Sequence, residues 1–576
     1  MIDLATMPPP AAAPAAKETK AQKAERLKLA KNPWEAWDEV RQFAREGRAA
    51  VLPEWAEFYF KWWGVYTQGD GAGVTGGRDG VGKATEYFMM RIGLPNGLLT
   101  SHQLRVIGEL TKKHARNLAD ITTRQNIQLH WLTIQALPEI VDALTAIGLS
   151  PKGACGDVMR NVTGCPLAGL DGHELIDASP LALEVARGLT ANPDFYNLPR
   201  KFKVTVSGCP VWCSYPEIND VALTAIRRGD EVGYTLRVGG GLSTEPHIAV
   251  RIPAFVPQAK AYAVVEAVLR IFKEQTALRE NRTRARIKYL FMRHGWTAES
   301  MLAAIEEKLG CKLDPSPVSE DEVPDDVYRD HIGVTPQRQA GLSAVGASVL
   351  RGRLTGEQLI QLADLADEFG DGHLRATIMQ NILVANVPNA RTREVVERLN
   401  QIGLRVEVSP FWRGAIACTG TEFCKLAIAE TKAFSKWLVS EMEERLPAFD
   451  QQIKLHVTGC TNSCGQSWIA DIGLEGKKIK KDGKMVDAFY FCVGGAVGKY
   501  AAIARQIGFR AAAEDCPDAI ERLLRAYIAA RHPGEDLRAY FSRTDDETLR
   551  AQLAGTVVES VERDPPPAGG RHLADA

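Results

Sequence analysis

The chain contains the same pattern twice, and this constrains its architecture more than any other feature. Residues 97–107 (GLLTSHQLRVI) and 352–362 (GRLTGEQLIQL) align at an offset of 255. At that offset Gln125-Asn126-Ile127 recurs as Gln380-Asn381-Ile382, and Ile147-Gly148-Leu149 as Ile402-Gly403-Leu404. Three ungapped matches at one offset are hard to obtain by chance, and the period is far longer than that of a solenoid. The pattern continues as VSGCPVWC (206–213) against VTGCTNSC (457–464) and INDVAL (218–223) against IADIGL (469–474), both at 251, then RVGGGLS (237–243) against CVGGAVG (492–498) at 255. The chain therefore reads as two copies of a unit of about 220 residues. Its 576 residues, at about 150 per domain, allow two domains in each copy.

Within each copy the periodicity predicts helices over 101–118 and 356–369, each following a Thr that can cap it. NIQLHWLTI (126–134) and NILVANV (381–387) read as strands, and 137–146 and 391–401 again as helices. Helix and strand in this alternation imply sheets covered by helices, an α+β or α/β chain. Positions alike in both copies are read as scaffold. Residues 1–20 are Pro/Ala-rich and read as disordered, 20–30 as the start of a helix, and the end of the chain, with Pro565, Pro566, Pro567, Gly569 and Gly570, as a loose tail. The N-terminus lacks the apolar run of a secretory signal, so a cytoplasmic location is the expectation. No apolar run of about 18 residues suggests a membrane span. Formal net charge is -1, which gives no support for nucleic-acid binding.

Function is expected where the copies differ. The second copy holds Cys418 and Cys424 in ACTGTEFCK and Cys460 and Cys464 in TGCTNSCGQ. Four thiolates suit a [4Fe–4S] cluster, one on each iron. Zinc also takes four cysteines, but the C-x5-C spacing is wider than structural zinc pairs usually show. At offset 256 Cys418 falls on Val162 and Cys424 on Ala168, so only the second copy completes the set. Glycines flanking Cys460 and Cys464 would let backbone N–H groups approach sulfur. Cys209 and Cys213 repeat the C-x3-C spacing in the first copy and read as a vestige, with a second metal site as the alternative. Cys311, Cys492 and Cys516 read as ordinary buried thiols.

Basic residues show the opposite asymmetry. Arg91 faces Gly346 at 255, Arg124 faces Met379, Arg160 faces Ile416 at 256, and Lys201 faces Gln452 at 251. Lys203 is the exception, because it faces Lys454. Any one such cation is ordinarily solvated surface charge. Four specific to one copy imply a site that holds anions, through paired hydrogen bonds from Arg and compact charge from Lys. If LPRKFKVTV is a strand, Lys201 and Lys203 share a face.

With ACTGTEFCK, TGCTNSCGQ, TTRQNIQLHW, MRNVTG and LPRKFK on the page, the chain resembles the assimilatory sulfite/nitrite reductases that carry a sirohaem coupled to a [4Fe–4S] cluster. The likeness spans about residues 55–550. It implies a pseudo-twofold duplication of two ferredoxin-like half-domains, each followed by a larger sirohaem- and cluster-binding α/β domain. The expected boundaries are an extension at 1–30, half-domains at 55–150 and 326–408, larger domains at 151–325 and 409–555, and a tail at 560–576. By the same resemblance Cys418, Cys424, Cys460 and Cys464 ligate the cluster, and Cys464 also bridges to the sirohaem iron. Arg91, Arg160, Lys201 and Lys203 grip the substrate anion. Arg124, Gln128 and His130 lie along the macrocycle, and Arg286 in RARIK (284–288) adds a cation there. Tyr66 and Cys155 match positions that in some members form a covalent Tyr–Cys link. Sirohaem carries eight carboxylates, so its pocket must be basic. Reducing sulfite to sulfide or nitrite to ammonia takes six electrons, fed singly from the cluster.

Lys201-Phe202-Lys203 resembles the Lys-x-Lys of sulfite-reducing members, whereas MRNVTGCPLAG and SCGQ look more like nitrite-reducing ones, so the substrate expectation is sulfite with nitrite as the alternative. No G-x-G-x-x-G opens a helix after a strand, which points to a separate protein donor, ferredoxin by resemblance. A monomer is expected. Two other readings remain: a non-catalytic iron–sulfur or zinc module, and a cluster enzyme without haem.

Overall fold

The computed structural model describes residues 18–69, 86–316 except Pro210 and Trp212, and 329–556. The expectations for residues 1–17 and for the tail at 560–576 lie outside the described residues. The helix expected from residue 20 is present as Lys20–Ala30, with Thr19 and Gln22 forming a capping box at its start.

The duplication is built from matching local chemistry. Thr100 caps the helix Ser101–His114 and Thr355 caps Gly356–Phe369, each in a reciprocal box with a Gln three residues on. Those two Gln side chains then reach the ends of the second helix of their own copy, Gln103 donating to the Ile147 carbonyl at 3.1 Å and Gln358 to that of Ile402 at 2.9 Å. The first helix stops at His114 rather than 118, because Arg116 and Asn117 take left-handed φ angles of 50° and 60°.

Each copy forms a five-stranded sheet whose last strand comes from the other copy. One sheet runs Val65–Gln68, Tyr87–Ile92, Ile127–Leu132, Ala119–Ile121 and then Arg353–Leu354. The other runs Gly333–Pro336, Leu342–Ala347, Ile382–Pro388, His373–Ala376 and then Leu98–Thr100. The crossing is reciprocal in detail. Buried Gln125 donates to the Ala376 carbonyl at 2.9 Å, and Gln380 donates to that of Ile121 at 3.1 Å. Gly97, with φ of 69°, could not carry a side chain, since a Cβ would lie 2.1 Å from the Ala376 oxygen. One apolar core, with Leu104 and Ile107 from one helix and Leu359 and Leu362 from the other, joins the two sheets.

The remaining segments form two further sheets, each with its own core. A six-stranded sheet is ordered Asp314–Pro315, Val250–Pro257, Glu231–Val238, Val221–Arg228, Phe202–Ser207 and Met159–Gly164. A five-stranded sheet is ordered Ala415–Ala417, Leu455–Thr458, Ile472–Lys481, Lys484–Val493 and Arg505–Ala512. In both, the first strands of the segment pair in parallel and the later ones antiparallel. The fold is thus α/β with an internal duplication. Cys492 and Cys516 are buried as expected, but Cys311 is exposed, because it sits in the connection after the helix Ala298–Leu309 rather than on a packed face. No helix among the described residues is long and apolar enough to cross a membrane.

Candidate functional site

A cationic opening forms where the antiparallel sheet that begins with Val65–Gln68 meets the six-stranded one. Arg91 on Tyr87–Ile92 lies directly across from Gln128 on Ile127–Leu132. The Gln128 oxygen accepts from the Arg91 Nε at 2.9 Å and an Nη at 2.6 Å, which sets the guanidinium's direction. The other Nη reaches the Ala154 carbonyl at 3.3 Å and the Cys155 Sγ at 3.1 Å. Arg160 donates to the same Ala154 carbonyl at 3.1 Å and twice to that of Gly156, at 3.1 and 2.6 Å. One loop therefore holds two guanidiniums side by side. Tyr66, one strand further out, lies near the Cys155 thiol; burial first, then that thiol, pushes its hydroxyl pKa upward.

Arg124 sits on the turn before Ile127–Leu132, a turn made possible by the left-handed Gln125. Its Nη atoms donate to Asn219 Oδ1 at 2.9 Å and the Asn161 carbonyl at 2.6 Å, while its buried Nε has no partner. Burial first, then repulsion from Arg160, pushes its pKa down to about 9. Lys201 and Lys203 flank Phe202 at the start of Phe202–Ser207, two residues apart and so on one face. Among the described residues neither ammonium makes an ion pair. Burial, then Arg286 and Arg200, brings Lys201 down to about 7; burial and Lys201 itself push Lys203 well down. Arg91, Arg124, Lys201 and Lys203 lie deep in the fold yet keep part of their surface accessible, so they line an internal opening.

The four cysteines of the second copy converge beside this opening. Cys418 follows Ala415–Ala417 and Cys460 follows Leu455–Thr458, neighbouring parallel strands whose ends deliver both loops to one edge. Burial first, then neighbouring cysteines, pushes Cys424 up to about 12 and Cys460 up to about 11. The Gly459 N–H donates to the Cys418 Sγ at 3.2 Å and Asn462 to the Cys460 Sγ at 3.5 Å, N–H···S contacts of the kind that stabilise thiolate ligands. Cys464 is exposed, and Arg91 and Lys201 both feel its charge. Its carbonyl accepts from Thr123, next to Arg124, at 3.4 Å. Cys464 thus stands between the thiol cluster and the cations.

Three expected residues are engaged by protein partners. His130 is fully buried, with one ring nitrogen 3.0 Å from Gln68 and the other 3.2 Å from Asp120, and it stacks on Phe423 at 4.2 Å. Both nitrogens are engaged, so it braces the wall beside Cys424 and offers no free donor to a carboxylate. Gln128 acts through Arg91. Arg286 reaches the rim but is held by Asp220 through three hydrogen bonds of 2.7–2.9 Å. Asp220 and Asn219 went unread because INDVAL matches IADIGL and was taken as scaffold. The available signal was Asn219, whose counterpart at 251 is Ala470. Lys288 was also missed; it is buried, brought down to about 7 by burial and Arg286, and bound to the Leu242 carbonyl at 3.0 Å.

These donors fit the expected groups. Four neighbouring cysteines, Cys418 and Cys460 with N–H support, suit a [4Fe–4S] cluster, and the orphaned Nε of Arg124 suits a polycarboxylate. The chain matches the model of the nitrite and sulphite reductase 4Fe-4S domain over 155–313 and 409–559, and that of the nitrite/sulfite reductase ferredoxin-like half domain over 81–147 and 335–402. It is 37% identical over 537 residues to an assimilatory ferredoxin-dependent nitrite reductase of Haloferax mediterranei, covering 87% of this chain and 88% of that one. It is 35% identical to sulfite reductase [ferredoxin] 1 of Mycolicibacterium paratuberculosis, covering 91% and 95% respectively. The solved structure of the Mycobacterium tuberculosis NirA protein superposes with a TM-score of 0.87 at 34% identity, covering 92% of this chain and 97% of that one. The chain belongs to the assimilatory ferredoxin-dependent sulfite/nitrite reductase family, oxidoreductases that carry a sirohaem and a [4Fe–4S] cluster.

Proposed function

We propose that this six-electron reductase acts on sulfite, releasing sulfide, with ferredoxin as its electron donor. The observation that carries the substrate choice is the pair Lys201 and Lys203, two ammoniums on one face with no counter-ion among the described residues. A sulfite dianion gains more from the second ammonium than a nitrite monoanion does. Nitrite is the second reading, supported by MRNVTGCPLAG and SCGQ, and the relatives' names include both activities.

In this reading Cys418, Cys424, Cys460 and Cys464 hold the cluster, and Arg124 holds carboxylates of the sirohaem. When bound, these groups supply the iron site for substrate and the path for single electrons. Arg91 and Arg160, already fixed by Gln128 and two carbonyls, present N–H groups to the substrate oxygens without reorganising. Lys201, brought near 7, gives up a proton at neutral pH more readily than an ordinary lysine and is placed to protonate departing oxygen. Tyr66 and Cys155 lie beside the same opening as the pair for a covalent link, whose formation removes one hydrogen from each partner and two electrons and so needs an external oxidant.

The test is kcat/KM for sulfite and for nitrite with reduced ferredoxin, in the holoenzyme and in Lys203→Asn. The substitution should lower the sulfite value about tenfold, the equivalent of one charge-assisted contact, and change the nitrite value less. An unchanged ratio between the two substrates would remove the sulfite assignment.

A further inference from the structure

The first copy has lost the cluster ligands but not its cysteines. Cys209 and Cys213 follow the strand Phe202–Ser207, and Cys165 follows Met159–Gly164, its parallel neighbour. The two strands end together, as their counterparts do around Cys418 and Cys460. All three thiols are buried, 1–2% exposed. A fourth group arrives from the other copy. His331 precedes the strand Gly333–Pro336, and its Nε2 is buried with no hydrogen-bond partner. The ligand atoms of Cys165, Cys213 and His331 lie within 4.8 Å of one another, and those of Cys165 and Cys209 are likewise within 4.8 Å.

We propose that Cys165, Cys209, Cys213 and His331 form a structural zinc site. Three thiolates and one imidazole make a closed tetrahedral set, and Cys209-x3-Cys213 has ordinary zinc spacing. With Zn–S near 2.3 Å, tetrahedral geometry places sulfurs about 3.8 Å apart, so Cys165, Cys213 and His331 need to draw in by about 1 Å, and Cys209, already beside Cys165, swings toward them as the fourth ligand. A four-iron cluster puts each thiolate on a different iron and requires wider separation. Asp171 also approaches Cys165 and Cys209, but its oxygens are taken by Arg329 and by the His173 N–H, both at 2.9 Å. The imidazole is held in place by its backbone. His331 has a φ of 60°, and its carbonyl would lie 1.7 Å from a Cβ on Gly346, so only glycine admits this loop. Gly346 is the counterpart of Arg91. The position that carries a substrate cation in one copy therefore makes room for a metal ligand in the other. Binding would release the thiol protons and tie the six-stranded sheet to the antiparallel sheet that contains Gly333–Pro336.

The test uses untagged holoenzyme from zinc-replete cells. Elemental analysis should give about one zinc per chain beside the iron, and zinc-edge X-ray absorption should show three sulfurs near 2.3 Å and one nitrogen near 2.0 Å. Cys213→Ser and His331→Ala should lower zinc to below about a tenth per chain while iron content and visible spectrum persist. Wild-type absorption data decide the matter if those variants do not fold. Absence of zinc, a shell of oxygen and nitrogen alone, iron at this site, zinc retained by soluble variants, or a disulfide among the three cysteines after anaerobic purification overturns the proposal.

Discussion

Asp220 is the counter-charge on which the cationic opening is built, and Asp220→Asn tests that role. The carboxylate is fully buried. It accepts three hydrogen bonds from Arg286 at 2.9, 2.8 and 2.7 Å and a fourth from the Lys203 backbone N–H at 2.7 Å. Asparagine can keep the backbone bond. It cannot neutralise Arg286, and its NH2 would face a guanidinium that only donates. Breaking a buried ion pair on one side costs about 3–5 kcal/mol, because the remaining charge is stranded. Arg286 already raises the cost of charge on Lys201, Lys203 and Arg124, so the stranded cation has no other relief. With a denaturant slope of about 3 kcal/mol/M for a unit of this size, the urea midpoint of cofactor-free protein should fall by about 1–1.7 M. Tryptophan fluorescence follows the transition, and midpoints are compared because a multidomain chain does not unfold in two states. A shift below about 0.3 M, the equivalent of under 1 kcal/mol, refutes the claim that this one carboxylate holds the shell together.

The pH dependence of cofactor-free protein follows from Lys201. Its folded pKa is about 7 against an unfolded value near 10.5, so between those limits the unfolded chain binds more protons and stability rises with pH; below about 7 both forms are protonated and the penalty is complete. The urea midpoint should therefore be higher at pH 9 than at pH 7, and Lys201→Met should flatten the rise. Gln125→Leu strands the Ala376 carbonyl and the Gly164 N–H, now bonded at 2.9 and 3.0 Å, for a loss of about 2–5 kcal/mol. Gln380→Leu should cost as much through Ile121 and Ala417, both at 3.1 Å. Only the Gln125 variant should release sirohaem on gel filtration, since Arg124 precedes Gln125 whereas Met379 precedes Gln380. Equal retention by the two would show that the turn does not position Arg124.

The duplication, its helices and strands, and the four cysteines and copy-specific cations proposed for the site were legible in the sequence. Capping boxes, alternation and thiol spacing are local, and a repeat displays local chemistry twice. Comparing the copies found Arg91, Arg124, Arg160 and Lys201, but it also hid Asp220, whose partner in the second copy, Asp471, holds the Lys454 N–H at 2.6 Å just as Asp220 holds that of Lys203. The same backbone task makes the two look alike, while only the first also binds Arg286. The surroundings of His130 are not legible in the sequence, because its partners Gln68, Asp120 and Phe423 lie on separate strands and loops. Cys165 drew no notice because its companions come from a later strand and, with His331, from the other copy.

The sequence by itself determined what each half is made of, since secondary structure and metal-ligand spacing depend on residues a few positions apart. Only the tertiary structure decided how the halves exchange strands, which buried charge offsets which, and which thiols and imidazole meet. Those outcomes depend on contacts between residues up to hundreds of positions apart, where burial strips away water and leaves each polar group to the partner that the fold brings to it.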